Sequence, residues 1–133
     1  MSLSRLIVQN LRNLLSVDIE PSPDVNLIFG KNGSGKTSIL EAIHVLSLGR
    51  SFRGHKFKAL INEHHPAMTV FGRVDDSGGD IPIGVSRSRS GDATFKAHGQ
   101  AVGSLAELAG LLPLQVVNAD AFLLLEGSPS VRR

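Results

Sequence analysis

The feature that most constrains this chain is a glycine-rich run at residues 30–37, with the letters GKNGSGKT. It fits the pattern G-x-x-x-x-G-K-[ST] of a phosphate-binding loop. Glycines reach backbone angles closed to other residues and leave room for a phosphate, so successive N–H groups can point at one anion. The run therefore predicts a strand, a phosphate-binding turn and a helix, in that order.

Each residue of this loop has a predicted role in binding a nucleotide. Lys36 supplies a mobile charge for the β- and γ-phosphates at the positive end of the helix. Thr37 offers its hydroxyl to Mg²⁺, a hard cation that prefers oxygen. The alternative is a chance match in a glycine-rich turn, expected for on the order of one chain in a hundred of this length. The predicted phosphate-binding residues are Gly30, Lys31, Asn32, Gly33, Ser34, Gly35, Lys36 and Thr37.

The segments on both sides of the loop have the expected patterns. Val25–Phe29 is a continuous β-prone run, typical of a strand buried on both faces of a sheet. After the loop, apolar residues recur at the spacing of one helix face, and Gly49 stands where that helix should end. These residues are Ile39, Ala42, Ile43 and Leu46.

The rest of the chain predicts mostly antiparallel strands. Residues 3–9 and 14–20 form one strand pair around a tight polar turn at 11–13. Residues 50–66 predict a loop with one short element. Three further strands, at residues 67–74, 81–88 and 92–98, are joined by turn-forming residues and predict a meander.

One short helix and one more strand are predicted near the end. Ser104 and Glu107 form a capping box that opens a helix to about Leu112, and Pro113 ends it. Leu114–Asn118 then predicts a buried strand.

Composition narrows the class of protein. The 133 residues suit one domain, and the absence of cysteine excludes disulfides, thiolate metal sites and a cysteine nucleophile. The net charge of +2 is too small to argue for nucleic-acid binding by itself. No apolar run approaches the ~18 residues of a membrane span, so we expect a soluble, cytoplasmic protein without a membrane partner.

The loop alone does not settle the nucleotide or the reaction. The guanine-reading pattern N-K-x-D is absent, and a hairpin turn accounts for Asp75-x-x-Gly78. Hydrolysis needs a second acidic strand end, for which Phe122–Glu126 is a poor candidate because no Asp precedes Glu126. A leucine-serine-glycine-glycine signature is also absent. We therefore expect the chain to bind a nucleotide but not to turn it over.

The residues around the loop carry a narrower resemblance. SILEAI at 38–43, LGRSFR at 48–53 and LRNL at 11–14 resemble the RecF family, bacterial DNA replication and repair ATPases among the SMC-like ABC ATPases. Gly127-x-Pro129 and the final arginines fit the same family. The resemblance implies an α/β fold, the amino-terminal lobe of a P-loop ABC-type ATPase head, with an antiparallel β-subdomain beside a RecA-like α/β core. It implies that residues 1–133 form this lobe and that the remaining lobe and arm lie outside the chain.

The resemblance also implies cofactors, partners and further site residues. ATP and Mg²⁺ would bind, and an ATP-dependent homodimer would complete each loop with the partner's signature motif. The implied partners are double-stranded DNA at gaps or junctions and the proteins RecR and RecO, with which RecF-type proteins load RecA. Ser38 would adjoin the nucleotide, and Arg12 and Asn13 match a turn that reaches it, although such a turn is by itself usually solvated. The glutamine that contacts Mg²⁺ in ABC heads stays unassigned among Gln115, Asn118 and Asp120.

The densest positive cluster follows the predicted helix and is the candidate contact with DNA. It could neutralise backbone phosphates, or it could be a solvated loop that Phe52 and Phe57 anchor to the core. Its candidate contacts are Arg50, Arg53, Lys56 and Lys58.

Two alternatives to a DNA repair ATPase remain open. One is a P-loop kinase or other small-molecule phosphotransferase with its acceptor site in residues 50–66, where Glu63 is the only acidic residue. The other is a lobe that acts only as a nucleotide-binding interaction module.

Overall fold

The computed structural model describes residues 2–29, 36–49, 57–76 and 79–113. In these residues six strands form one antiparallel sheet in the order β2-β1-β3-β4-β5-β6. Two helices and one 3-10 turn at Phe57–Ala59 accompany it. The elements are β1 Ser2–Leu11, β2 Leu14–Ile19, α1 Lys36–Leu48, β3 Ala67–Asp76, β4 Gly79–Ser88, β5 Ala93–Ala97, β6 Gln100–Ala101 and α2 Leu105–Leu111.

The sheet buries one face because its strands alternate inward and outward side chains. Val8 of β1 lies opposite Val70 of β3, which in turn lies opposite Val85 of β4. All three valines are buried and belong to the same hydrophobic core. The predicted strand pair and the predicted meander are therefore confirmed, and β6, only two residues long, was not predicted.

Helix α1 packs on the buried face of the sheet. Ala42, Val45 and Leu46 are fully buried, and Gly72 of β3 lies directly beneath Leu46. The helix ends at Leu48, where the amide of Gly49 donates to the carbonyl of Val45 over 2.7 Å. Gly49 has a φ of 74°, which a residue without a side chain adopts at little cost. The predicted helix and its glycine stop are confirmed.

Helix α2 begins at the predicted cap. The hydroxyl of Ser104 accepts a hydrogen bond from the amide of Glu107 over 3.2 Å. Leu108 is fully buried, and the hydroxyl of Ser47 in α1 donates to the carbonyl of Leu112. These contacts attach α2 to α1 and confirm the predicted helix. None of the described helices is long and apolar enough to cross a membrane.

One predicted element is wrong for this chain. Val25–Phe29 is not a strand, and Val25, Leu27 and Phe29 are 84%, 82% and 84% exposed. A doubly buried strand needs a hydrogen-bonded neighbour on each side, and no described strand pairs with this segment. The β-prone sequence therefore lacks the context that would make it a buried strand. The predicted strand at Leu114–Asn118 lies outside the described residues.

Candidate nucleotide-binding site

The structure describes part of the predicted site. Thr37, Ser38, Arg12, Asn13 and Lys58 are described in full, and Lys36 is described as the first residue of α1. The remaining predicted site residues lie outside the described part of the chain, as do the glutamine-role candidates and Phe122–Glu126. These are Gly30, Lys31, Asn32, Gly33, Ser34, Gly35, Arg50, Arg53 and Lys56.

The Arg12-Asn13 turn is held in one place by the backbone around it. Leu11 pairs with Leu14 across the turn, and Arg12 has a φ of 50°, in the left-handed region. The amide of Arg12 donates to the carbonyl of Leu60 over 2.7 Å, and the side-chain amide of Asn62 donates to the carbonyl of Arg12 over 2.6 Å. These bonds compensate for a backbone conformation that is uncommon outside glycine.

Two side-chain contacts attach this turn to the start of α1. The hydroxyl of Ser38 donates to Oδ1 of Asn13 over 3.1 Å. The guanidinium of Arg12 donates to both carboxylate oxygens of Glu41, with 3.1 Å between Nη2 and Oε2. The turn therefore lies against the first two turns of the helix that follows the predicted phosphate loop.

The pair of Arg12 and Glu41 is the main electrostatic feature of this region. The side chain of Glu41 is 0% exposed and that of Arg12 is 27% exposed. A buried carboxylate is costly unless an opposite charge satisfies it, and a two-pronged arginine bond does so well. Arginine has five N–H donors and the pair uses two of them, so the same guanidinium has the capacity to bind a second anion.

Thr37 and Ser38 differ in accessibility although they are adjacent in α1. Thr37 is exposed in the first turn, so its hydroxyl oxygen fits the kind of ligand that Mg²⁺ takes. Ser38 is 5% exposed, and its hydroxyl hydrogen is directed to Asn13. The structure thus places Ser38 between the turn and the helix.

The described residues also form a cavity of about 470 Å³ beside this region. Its lining is mainly apolar and includes Leu3, Ile28, Ile39, Ile43 and Leu112. Phosphates are bound by backbone amides and cations, so this cavity is not the predicted phosphate site.

The structure describes only one residue of the basic cluster. Lys58 lies exposed in the 3-10 turn. Arg87 of β4 donates to the carbonyl of Gly49 over 2.8 Å, at the end of α1 and directly before the cluster in sequence. A cation at a helix carboxyl terminus is favourable, so Arg87 stabilises the carboxyl end of α1.

The sequence interpretation missed Glu41 and Arg87. Glu41 carried no signal of its burial, because the spacing of Ile39, Ala42, Ile43 and Leu46 predicted the buried face on another side of the helix. Arg87 carried none, because its contact with Gly49 spans 38 residues of sequence.

Comparisons with known proteins identify the family. Residues 2–122 match the RecF/RecN/SMC N terminal domain. The DNA replication and repair protein RecF of Cellvibrio japonicus is 63% identical, and the alignment covers 100% of this chain and 37% of that protein. RecF of Pseudomonas putida strain GB-1 is 52% identical with 100% and 36% covered. The chain thus spans just over a third of the length of these curated relatives.

Solved structures support the same family and show the fold. A structure of the recombination mediator protein RecF with ATP matches with a TM-score of 0.84 at 32% identity, covering 98% of this chain and 35% of that one. A structure from work on SMC ATPases also has a TM-score of 0.84, at 19% identity, with 99% and 95% covered. The second likeness concerns the fold alone. Together they confirm the predicted fold class, the amino-terminal lobe of an ABC-type ATPase head.

Proposed function

The chain belongs to the RecF/RecN/SMC N terminal domain family, and from this premise we propose that it is the ATP-binding lobe of a RecF-type DNA replication and repair protein. The observation that carries the proposal is the attachment of the Arg12-Asn13 turn to Ser38 and Glu41. This attachment places an arginine beside the helix that begins in GKNGSGKT. Loops of this pattern bind the phosphates of nucleoside triphosphates.

The proposed ligand is ATP with Mg²⁺. Two of the solved relatives are RecF with ATP and with the analogue ATPrS, which supports ATP over other nucleotides. Lys36 binds the β- and γ-phosphates, Thr37 holds Mg²⁺, and Arg12 and Asn13 complete the site. The metal neutralises charge on the phosphates. The chain alone binds ATP without turning it over, because the sequence lacks a signature motif and a convincing second carboxylate.

The proposed wider function follows the relatives. We propose that the protein binds double-stranded DNA at gaps and cooperates with RecO and RecR in loading RecA. The solved RecF is described as a recombination mediator in the RecFOR pathway, which supports a role in that pathway. The SMC relative is described in terms of ATP-driven dimerisation and DNA-stimulated activation, which supports an ATP-dependent homodimer. The basic cluster with Arg50, Arg53, Lys56 and Lys58 is the proposed DNA contact, and the place of action is the cytoplasm.

ATP binding is tested on the 133-residue chain by calorimetric titration with ATP and Mg²⁺. Lys36→Ala should abolish binding without lowering the unfolding temperature, because Lys36 is the first residue of α1 and alanine is the best helix former. Lys58→Ala is the matched control, since it removes an equally charged, exposed residue from another element. Unchanged ATP binding by Lys36→Ala would show that the loop assignment is wrong.

The reaction is tested in a chimera in which this chain replaces the aligned segment of the Cellvibrio japonicus protein. Duplex DNA should stimulate ATP turnover by the chimera. Turnover that depends on a small acceptor molecule and ignores DNA would instead identify a kinase or phosphotransferase.

The DNA contact is tested in the same chimera. Charge reversal at Arg53 and Lys56 should flatten the dependence of DNA affinity on salt, because each lost phosphate contact releases fewer counterions. Lys96→Glu, an exposed charge reversal on β5, serves as the control. A salt slope unchanged by the first pair would exclude the basic cluster as the contact.

A further inference from the structure

The buried carboxylate of Glu41 raises the question of why a helix in the core keeps an acidic residue. The buried residues of α1 around it include the apolar Ala42 and Val45 and the polar Ser38 and His44, and none of these others is a carboxylate. A hydrophobic residue of similar volume would often stabilise such a position as well or better. Glu41 therefore has a use that packing alone does not explain, and the residue it contacts, Arg12, belongs to the candidate site.

The contact fixes the guanidinium of Arg12 in one orientation. Nε and Nη2 donate to the two oxygens of Glu41, so both the position and the plane of the fork are set. An arginine without such a partner loses side-chain entropy when it binds an anion. Because Glu41 is fully buried and accepts two bonds from Arg12, the guanidinium has lost much of that freedom before a ligand arrives.

The geometry leaves Arg12 able to bind a phosphate. The two bonds to Glu41 do not use Nη1, which carries two N–H groups, and the side chain is about a quarter exposed. The turn that carries Arg12 also contacts Ser38, two residues after the start of α1. The guanidinium therefore lies near the helix end at which phosphate is expected.

We propose that Glu41 is a positioning residue for the nucleotide: it holds Arg12 so that the remaining guanidinium donors meet a phosphate oxygen of bound ATP. This inference rests on the proposed ATP-binding function. In this role Glu41 does not touch the nucleotide and acts through Arg12. Asn13 and Ser38 hold the same turn by a second, uncharged contact.

The proposal predicts coupling between the two residues in ATP affinity. Glu41→Gln keeps the size of the side chain but loses the charge and one of the two accepting oxygens. It should weaken ATP binding about tenfold, and Arg12→Ala should weaken it at least as much. In the Arg12→Ala background Glu41→Gln should have no further effect on affinity, because its influence passes through a guanidinium that is no longer there.

The test measures the ATP dissociation constant of the two single variants, the double variant and the unaltered chain by calorimetry. Glu63→Gln is the matched control, since it makes the same change at an acid whose side chain is 85% exposed, and it should leave affinity unchanged. A Glu41→Gln effect of equal size in both backgrounds would mean a purely structural role and would overturn the proposal.

A second variant keeps the proposal testable if Glu41→Gln does not fold. Arg12→Lys retains the positive charge but cannot form the two-pronged bond, and should weaken ATP binding nearly as much as Arg12→Ala. Full affinity in Arg12→Lys would also overturn the proposal. Lys36→Ala distinguishes a failure of the positioning role from a failure of the ATP site. If Lys36→Ala abolishes ATP binding while Glu41→Gln binds ATP normally, the positioning role fails and the ATP site stands. If Lys36→Ala binds ATP normally, the ATP site itself fails.

Discussion

Replacing Gly72 with alanine tests how closely α1 is packed on the sheet. A Cβ added at Gly72 would come closer than 3.0 Å to Cδ2 of Leu46, which is less than real Cβ contacts allow. It would also lie 3.0 Å from Cδ1 of Leu3 and 3.3 Å from the carbonyl oxygen of Arg5. Leu46 is fully buried, so its Cδ2 atom has to move within the close-packed core to make room.

The expected loss of stability comes from two opposing effects. Overpacking of a close-packed core costs about 1–3 kcal/mol. Replacing glycine by alanine in a strand recovers about 0.5–1 kcal/mol, mainly by reducing the entropy of the unfolded chain. Gly72→Ala should therefore lower the free energy of unfolding by about 1–2 kcal/mol, which is roughly 3–10 °C in Tm for a domain of this size.

Urea denaturation of the purified chain measures this loss, and a double-mutant cycle assigns it to a contact. Leu46→Ala alone should cost about 2–5 kcal/mol because it leaves a cavity. In that background Gly72→Ala should cost nothing or stabilise, since the new methyl group enters the vacated space. Gly84→Ala is the control, because a Cβ there meets no atom within 4 Å. Equal destabilisation by Gly72→Ala and Gly84→Ala, or additive effects of Gly72→Ala and Leu46→Ala, would refute the packing argument.

Two further predictions concern single contacts. Arg5 donates to Asp18 over 2.8 Å, and this hydrogen bond lowers the pKa of Asp18 below its ordinary value of 3.8. The pair should therefore stabilise the fold while Asp18 is ionised and lose its effect as the pH falls through the lowered pKa of the folded state. The small difference in Tm between Asp18→Asn and the unaltered chain should shrink as the pH is lowered below 3.8; a difference that does not shrink with falling pH would contradict this. Ser104→Ala should cost about 1 kcal/mol in urea denaturation because α2 loses its cap, whereas Ser104→Asp should retain most of the stability; an equal loss in both variants would show that the cap is not responsible.

Local sequence patterns predicted most elements of this fold. The spacing of Ile39, Ala42, Ile43 and Leu46 together with Gly49 predicted α1, and the capping box at Ser104 predicted α2. Apolar-rich runs separated by turn residues predicted the hairpin and the meander. These patterns succeed because periodicity, caps and turns depend on residues close together in the chain. Val25–Phe29 shows the limit of prediction from local patterns, because a β-prone run becomes a buried strand only when neighbouring strands pair with it.

The sequence by itself determined the predicted chemistry of the loop, because the pattern in GKNGSGKT needs only its own glycines, lysine and threonine in the right order. Only the tertiary structure decided which residues contact the helix that follows the loop in sequence. Arg12 and Glu41 are 29 residues apart and Asn13 and Ser38 are 25 apart, and the sheet brings each pair into contact. An arginine in a polar turn would by itself be solvated. It becomes an oriented cation because the hairpin of β1 and β2 packs against α1, where a buried carboxylate requires a partner.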